Sequence, residues 1–305
     1  MIGADVWNVM GGRALGPAPF LLAGIVNVTP DSFYDGGRYR DLDAAVEQGR
    51  ALALQGAHIL DIGGESTRPG AAEVSEQEEL ARVVPVIREL ARLPQQEDSD
   101  GPYALGGAYG FGGGDYPVLA VDTYKAQVAA EALDAGAVII NDISACRFDP
   151  ALADVLAEKK PGYVLMHSLG RPGVMQDDPR YGDVVGEILA FFEERLHFLT
   201  SRGVPEANIV LDPGVGFGKL LEHNMAILRS IERFGALGRP VYMGLSNKSL
   251  WGRLLGLQPG ERQTATAVAT GLLVARGVLV HRVHEVGQAR QAALVATAMS
   301  PDAQP

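Results

Sequence analysis

Polar side chains that could do chemistry recur at the ends of short apolar runs in this sequence. The stretch 57–70, AHILDIGGESTRPG, shows the pattern: an apolar run leads into Asp61, two glycines and a loop rich in hydrogen-bonding groups. Seven other runs end in the same way, at Asn27, Asp122, Asn141 with Asp142, His167, Asp212, Ser246 with Lys248, and Arg282 with His284. Helix N-capping explains an occasional Asp such as Asp142, but not a Lys, Arg or His. The pattern predicts that these run ends share one site.

Two kinds of chemistry are available at these positions. One group offers donors and acceptors suited to a flat, nitrogen-rich heterocycle: Asp122, Asn141, Asp212 and Lys248. A second group suits phosphate, because Arg presents a planar fork of donors to paired oxygens: Arg68, Arg282 and His284. Asn27 and Asp31 add oxygen ligands for a hard cation such as Mg²⁺. The residues alone indicate a heterocycle plus phosphate, and no Ser–His or Cys–His arrangement is evident.

The elements that must position these groups are eight apolar runs with helical patterns between them. The runs are 21–28, 58–63, 118–123, 138–143, 163–167, 208–213, 241–246 and 278–284, and amphipathic segments include 42–56, 75–90, 125–136 and 183–203. Runs that are apolar throughout are typical of parallel strands covered on both faces. Eight β-then-α units predict an α/β protein with a (β/α)₈ barrel, whose strand ends meet at one mouth. A doubly wound open sheet is the structural alternative.

Composition limits the classes of function. A net charge of −11 argues against general binding of nucleic acid or an anionic membrane, which needs clustered Lys and Arg. The single cysteine, Cys146, excludes an internal disulfide. The amino-terminal residues lack the basic start and apolar stretch of a signal peptide, and segment 267–280 is too short to span a bilayer. We therefore expect a soluble, cytoplasmic protein.

We expect one domain over residues 21–300, with an amino-terminal extension at 1–20 and a carboxyl-terminal tail at 301–305. Residues 94–116 are predicted to be a flexible, Gly-rich insertion between the second helix and the third strand. Its GGAYGFGGG stretch lacks the Lys-Ser/Thr ending of a P-loop and precedes a strand, which argues against nucleotide binding.

Seven motifs, in order, resemble the dihydropteroate synthase family. They are NVTPDSFYDGG (27–37), DIGGESTRPGA (61–71), DTYKAQVA (122–129), IINDIS (139–144), LDPGVGFGK (211–219), SNKS (246–249) and RVH (282–284). The resemblance implies a TIM-barrel transferase of folate biosynthesis that uses Mg²⁺ and is generally a homodimer. Its reaction joins 6-hydroxymethyl-7,8-dihydropterin pyrophosphate to p-aminobenzoate, giving 7,8-dihydropteroate and pyrophosphate.

The same resemblance assigns roles to individual residues. The pterin set is Asp122, Asn141, Asp212, Gly216, Phe217 and Lys248. The pyrophosphate set is Asn27, Arg68, Arg282 and His284, with Asn27 also near the metal. The p-aminobenzoate set is Phe33, Thr67, Pro69 and Ser249. Asp35 and Arg68 would join Lys248, Arg282 and His284 in catalysis when the first two loops close over the site and exclude water.

These roles fit the reaction implied. Pyrophosphate leaves from a CH₂ group on an electron-rich ring, so bond cleavage can run ahead of attack through a cation-like pterin. Mg²⁺, Arg282 and His284 would stabilise the leaving anion. An aryl amine needs no strong base, and we expect no covalent enzyme intermediate.

One residue departs from the family pattern. The family commonly has S-R-K-S where this chain has Ser246-Asn247-Lys248-Ser249, and Asn247 cannot stack on a pterin as Arg can. We interpret Asn247 as a tolerated change, with Arg253 as one residue that could compensate. The alternatives are a methyltetrahydrofolate:corrinoid methyltransferase, which would need neither the pyrophosphate set nor the first two loops, and a non-catalytic pterin-binding paralogue.

Overall fold

The computed structural model describes residues 5–28, 38–66, 73–92 and 117–301, with the backbone only for 38–41. A short hairpin comes first, formed by β1 (Trp7–Val9) and β2 (Arg13–Leu15). Eight parallel strands follow: β3 (Leu21–Asn27), β4 (Ile59–Gly63), β5 (Val118–Asp122), β6 (Ile139–Asp142), β7 (Gly162–Met166), β8 (Ile209–Asp212), β9 (Tyr242–Gly244) and β10 (Val280–Val283). They pair in the order β8-β7-β6-β5-β4-β3-β10-β9.

The two edge strands of this sheet meet, so the sheet is a nearly closed barrel. Leu211 of β8 forms a parallel bridge with Val241, the residue before β9. The prediction of a single-domain (β/α)₈ barrel is confirmed, and the alternative prediction of an open, doubly wound sheet is wrong.

Helices follow the strands and cover the barrel. They are α1 (Arg38–Leu54), α2 (Glu76–Ala91), α3 (Ala126–Asp134), α4 (Leu152–Lys159), α5 (Val184–Thr200), α6 (Leu221–Arg229), α7 (Ser249–Leu255), α8 (Gln263–Ala275) and α9 (Val286–Ala298). Side chains cap two of the predicted starts: Ser75 accepts from the Glu78 amide at 3.2 Å, and Asp183 accepts from the Val185 amide at 3.2 Å. No helix in these described stretches is long and apolar enough to cross a membrane.

Alternate residues of the strands face opposite sides, which explains why the runs are apolar throughout. In β3, Leu21 and Ala23 belong to the core inside the barrel, whereas Leu22 packs in the core under the helices. Ile59 and Leu60 of β4 divide in the same way. Both faces of each strand are therefore removed from water.

The hairpin closes the amino-terminal end of the barrel. Trp7 is fully buried, and its indole N–H donates to the carbonyl of Asn208 at 2.7 Å. Val9 and Leu15 join the core inside the barrel. The segment predicted as an extension thus seals one end of the barrel and leaves the opposite end as the mouth. The proposed insertion at 94–116 lies outside the described residues.

Candidate active site

Four side chains from four strands form one hydrogen-bonded network at the carboxyl-terminal mouth. Arg282 donates through Nε to Oδ2 of Asp61 and through Nη2 to Oδ2 of Asp122, the latter at 2.6 Å. Asn141 donates to the same Asp61 oxygen at 3.0 Å. Residues from the carboxyl-terminal halves of β4, β5, β6 and β10 are therefore joined by hydrogen bonds.

The sheet register explains how one arginine reaches both carboxylates. Arg282 lies opposite Ala23 of β3 and Gly244 of β9. Because both neighbours are small, the guanidinium can cross the mouth toward β4 and β5.

Charge and burial perturb this network. Burial raises the pKa of Asp122 to about 7, and the negative charge of Asp61 adds to this rise while Arg282 opposes it. The two carboxylates hold the pKa of Arg282 above its ordinary value despite burial. The network therefore holds a fixed cation beside a carboxyl group that titrates near neutrality.

A second group lies at the ends of β8 and β9. The ammonium of Lys248 is 4.1 Å from the centre of the Phe217 ring. Burial raises the pKa of Asp212 to about 6 and lowers that of Lys248 to about 8, and each charge partly offsets the shift of the other. Gly216 has φ +85°, and a Cβ there would lie 3.3 Å from the Lys248 side chain. Glycine is thus needed where the loop passes Lys248.

The loop that follows β8 is fixed by side chains from several elements. Gln176 donates to the carbonyl of Gly216 at 2.6 Å, and the side chain of Asn224 accepts from the Gly216 amide at 2.8 Å. Lys219 is almost fully buried, and its ammonium lies 3.0 Å from the Phe217 carbonyl and 3.0 Å from Nδ1 of His167. This loop is therefore held in place without any ligand.

Ser246 and His284 form a contact that the sequence did not predict. Oγ of Ser246 lies 2.8 Å from Nδ1 of His284 and accepts from the backbone amide of the same residue at 3.2 Å. Because that amide occupies an acceptor position, the hydroxyl hydrogen is free to point at Nδ1. This geometry orients the imidazole, and with the hydroxyl as donor to Nδ1 the neutral ring would carry its hydrogen on Nε2.

Asn247 has left-handed backbone geometry, with φ +56°. Its carbonyl accepts from Arg262 at 3.0 Å and its amide donates to Thr266 at 3.4 Å. Asn is among the few residues other than glycine that adopt this conformation readily. Arg253, named as a possible substitute for the family's Arg, is exposed on α7.

Other predicted residues differ in their surroundings. Asn27 ends β3 and is half-buried, and Ser249 is the exposed first residue of α7. His167 is buried and packs edge-on against Phe191 at 4.9 Å between ring centres. Asp142 accepts from the amides of Ser144 and Cys146 at 2.6 Å each, so it fixes the loop that follows β6.

Several predicted residues lie outside the described ones: Asp31, Phe33, Asp35, Thr67, Arg68 and Pro69.

The sequence reasoning did not assign three charged groups at this end of the barrel. Asp61 was recognised only as a strand end, and Lys219 only as part of a motif. Lys125 was also missed, and its ammonium bridges the carboxylates of Glu65 and Glu79. A signal was present, since all three lie within the quoted motifs.

Comparisons with known proteins agree with this geometry. A model of the "Pterin binding enzyme" family matches residues 23–97 and 115–284. The dihydropteroate synthase of Bacillus subtilis is 43% identical over 279 residues, 92% of this chain and 88% of the relative.

Solved structures of the Xanthomonas albilineans dihydropteroate synthase are similar over nearly the whole chain. The complex with 4-aminobenzoic acid has a TM-score of 0.83 at 40% identity and covers 97% of this chain and 99% of that one. The complex with 7,8-dihydropteroate has a TM-score of 0.80 at 37% identity, with 98% and 100% covered. With the barrel, the polar mouth and the ordered motifs in agreement, the chain belongs to the pterin-binding enzyme family, as one of its dihydropteroate synthases.

Proposed function

We propose that this chain condenses 6-hydroxymethyl-7,8-dihydropterin pyrophosphate with p-aminobenzoate to give 7,8-dihydropteroate and pyrophosphate. The observation that carries the proposal is the mouth itself, where Asp122, a carboxylate suited to an amino-pyrimidine, lies in contact with Arg282, an arginine suited to phosphate. The relative from Xanthomonas albilineans has been solved with 4-aminobenzoic acid and with 7,8-dihydropteroate, which are a substrate and the product of this reaction.

In this proposal the pterin end is bound by two carboxylates and their neighbours. Asp122 and Asp212 accept ring and amino N–H groups, and Asn141 supplies a further donor and acceptor. Lys248 donates to a ring acceptor, with its ammonium already placed over Phe217. Gly216 and Phe217 form the wall of the pocket, on a loop that is held without ligand.

The pyrophosphate end is assigned to Arg282 and His284, with Asn27 beside them. Arg282 offers a fixed positive charge, and His284, oriented by Ser246, offers the Nε2 hydrogen. These donors stabilise the negative charge that develops as the C–O bond to pyrophosphate breaks. The amine of p-aminobenzoate then attacks the electron-poor CH₂ carbon and loses a proton.

No protein nucleophile is needed for this reaction. Burial raises the pKa of the Cys146 thiol far above its usual range, so the thiolate is not available at neutral pH. Ser246 is hydrogen-bonded in the role of orienting His284. Both observations support direct transfer without a covalent enzyme intermediate.

We include Mg²⁺ in the proposal, with Asn27 as its protein ligand. The amide oxygen of Asn27 fits a hard cation, and its side chain makes no hydrogen bond to another residue of the described stretches. One protein oxygen is sufficient, because Mg²⁺ keeps several waters and binds substrate phosphates. When bound, the ion would neutralise charge on the leaving group.

We also propose a homodimer located in the cytoplasm. The neighbouring helices α8 and α9 expose Val268, Leu272 and Val295 to solvent, as does Met299 directly after α9. Exposed apolar groups on adjacent helices are typical of a self-complementary interface. A single buried cysteine is consistent with a reducing compartment.

Product formation from dihydropterin pyrophosphate and p-aminobenzoate, with Mg²⁺ and then with EDTA, tests the proposal. Metal-dependent release of dihydropteroate and pyrophosphate is the expected result. Pterin binding without any product would contradict it and favour the non-catalytic paralogue. Methyl transfer from methyltetrahydrofolate to a corrinoid would favour the methyltransferase.

A further inference from the structure

Arg282 and Asp122 are assigned to opposite ends of the substrate, yet they are bonded to each other here. Nη2 of Arg282 donates to Oδ2 of Asp122 at 2.6 Å. The proposed function requires that same carboxylate to accept N–H groups of the pterin. A bound pterin therefore competes with Arg282 for Asp122.

Asp61 provides the second attachment of the guanidinium. Its Oδ2 accepts from Nε of Arg282, and its side chain is fully buried at the mouth. The other oxygen, Oδ1, is also buried and has no hydrogen-bond partner among the described residues. Asp61 can therefore accept a second N–H when Arg282 leaves Asp122, in the bidentate geometry that Arg and carboxylate favour.

We propose that Asp61 is a positioning residue, which holds Arg282 at the pyrophosphate end once the pterin has taken Asp122. This inference rests on the proposed function. Before substrate binds, two carboxylates share the guanidinium. After the pterin binds, Asp61 is the remaining carboxylate partner, and it keeps the arginine beside the leaving group.

Asn141 supports Asp61 in this arrangement. It donates to the Oδ2 that also accepts from Arg282, at 3.0 Å. That bond fixes the carboxylate and leaves Oδ1 without a hydrogen-bond partner among the described residues. Replacing Asp61 with Asn keeps the shape but removes the charge, and Asp122 still partners Arg282 in the ligand-free protein, so the variant should fold.

The test is a set of pyrophosphate titrations by calorimetry in the presence of Mg²⁺. Asp61→Asn should weaken pyrophosphate binding about twofold without pterin, and about tenfold or more with saturating 6-hydroxymethylpterin, because a hydrogen bond between charged groups is then lost. Affinity for 6-hydroxymethylpterin alone should change by less than about twofold.

A double-mutant cycle separates positioning from general damage. In an Arg282→Met background, adding Asp61→Asn should cost no further pyrophosphate affinity, since the residue acts only through Arg282. Additive losses would overturn the inference, as would equal effects with and without pterin. If Asp61→Asn fails to fold, Asp61→Glu replaces it, with a partial loss expected under the same comparison.

The unmodified protein separates the role of Asp61 from the proposed function. If the wild type binds pyrophosphate and 6-hydroxymethylpterin but the losses of pyrophosphate affinity in the two mutants add, the role of Asp61 is rejected. The proposed function then stands. Failure of the wild type to bind either probe would reject both.

Discussion

The ammonium of Lys219 lies 3.0 Å from Nδ1 of His167, in a buried position at the loop that follows β8. Burial lowers the pKa of this lysine to about 7, which is partly offset by the charge of Asp212. A buried lysine that also donates to the Phe217 carbonyl fixes the backbone that carries that ring.

Lys219→Met should therefore raise the KM for the pterin substrate about tenfold with a smaller change in kcat, because a charge-assisted hydrogen bond to the loop is lost. Steady-state kinetics measure how much of the loss falls on KM and how much on kcat. Lys160→Met, at an exposed lysine, is the matched control. A folded Lys219→Met protein with unchanged KM would show that the loop holds its position without the ammonium.

Pterin binding should weaken as the pH falls. Burial raises the pKa of Asp122 to about 7 and that of Asp212 to about 6, and only the ionised forms accept paired N–H groups. The Kd of 6-hydroxymethylpterin, measured from pH 8.5 to pH 5, should increase below pH 7 and more steeply below pH 6. The Asp212→Asn variant should lose the lower inflection, and an unchanged profile would remove Asp212 from binding.

Asp212 should also reduce stability at neutral pH. Its folded-state pKa of about 6 exceeds the ordinary 3.8, so the folded state binds the extra proton between these values and stability falls as the pH rises through 6. Asp212→Asn should stabilise the protein at pH 8 by at most about 3 kcal/mol, since the shift is about two pKa units. Urea unfolding at pH 8 and pH 4 checks this: a gain that persists at pH 4 would have another cause.

The conformation of Asn247 predicts which substitutions are accepted there. At φ +56°, Asn247→Gly should change the free energy of unfolding by less than about 0.5 kcal/mol, whereas Asn247→Val should cost about 1–2 kcal/mol. Denaturant unfolding of the two variants measures this difference. Equal stability would mean that the backbone relaxes out of the left-handed region.

The proposed dimer predicts a charge-sensitive interface on α8. Leu272 is 63% exposed, and Leu272→Glu combined with Val268→Glu should give a monomer. Light scattering after size exclusion measures the mass. Leu54→Glu changes a similarly exposed leucine on α1 and should leave the mass unchanged. A dimer that survives the double substitution would place the interface elsewhere.

The sequence predicted the barrel well because each strand is buried on both faces and therefore apolar throughout. It also predicted that polar strand ends meet, since a closed parallel sheet brings them together. It did not predict which atoms would pair. Asp61 and Arg282 are 221 residues apart, and their contact depends on small neighbours set by the strand register.

Lys219 and the Ser246–His284 contact were missed for related reasons. A lysine after a glycine-rich loop is ordinarily read as solvated or ligand-binding, and its burial follows from packing against His167 and Phe217. Ser246 and His284 follow different strands and are 38 residues apart, so no local sequence spacing predicts their hydrogen bond. The roles of the residues on the first two loops stay predictions.

The hairpin that seals the barrel has a consequence for the order in which the protein forms during synthesis. The indole of Trp7 bonds to Asn208, which is synthesised 201 residues later. The first barrel strand, β3, likewise needs its neighbour β10, which follows all the other barrel strands in the sequence. The hairpin and β3 must therefore wait, unpaired with these partners, until the strands and helices between them have been translated.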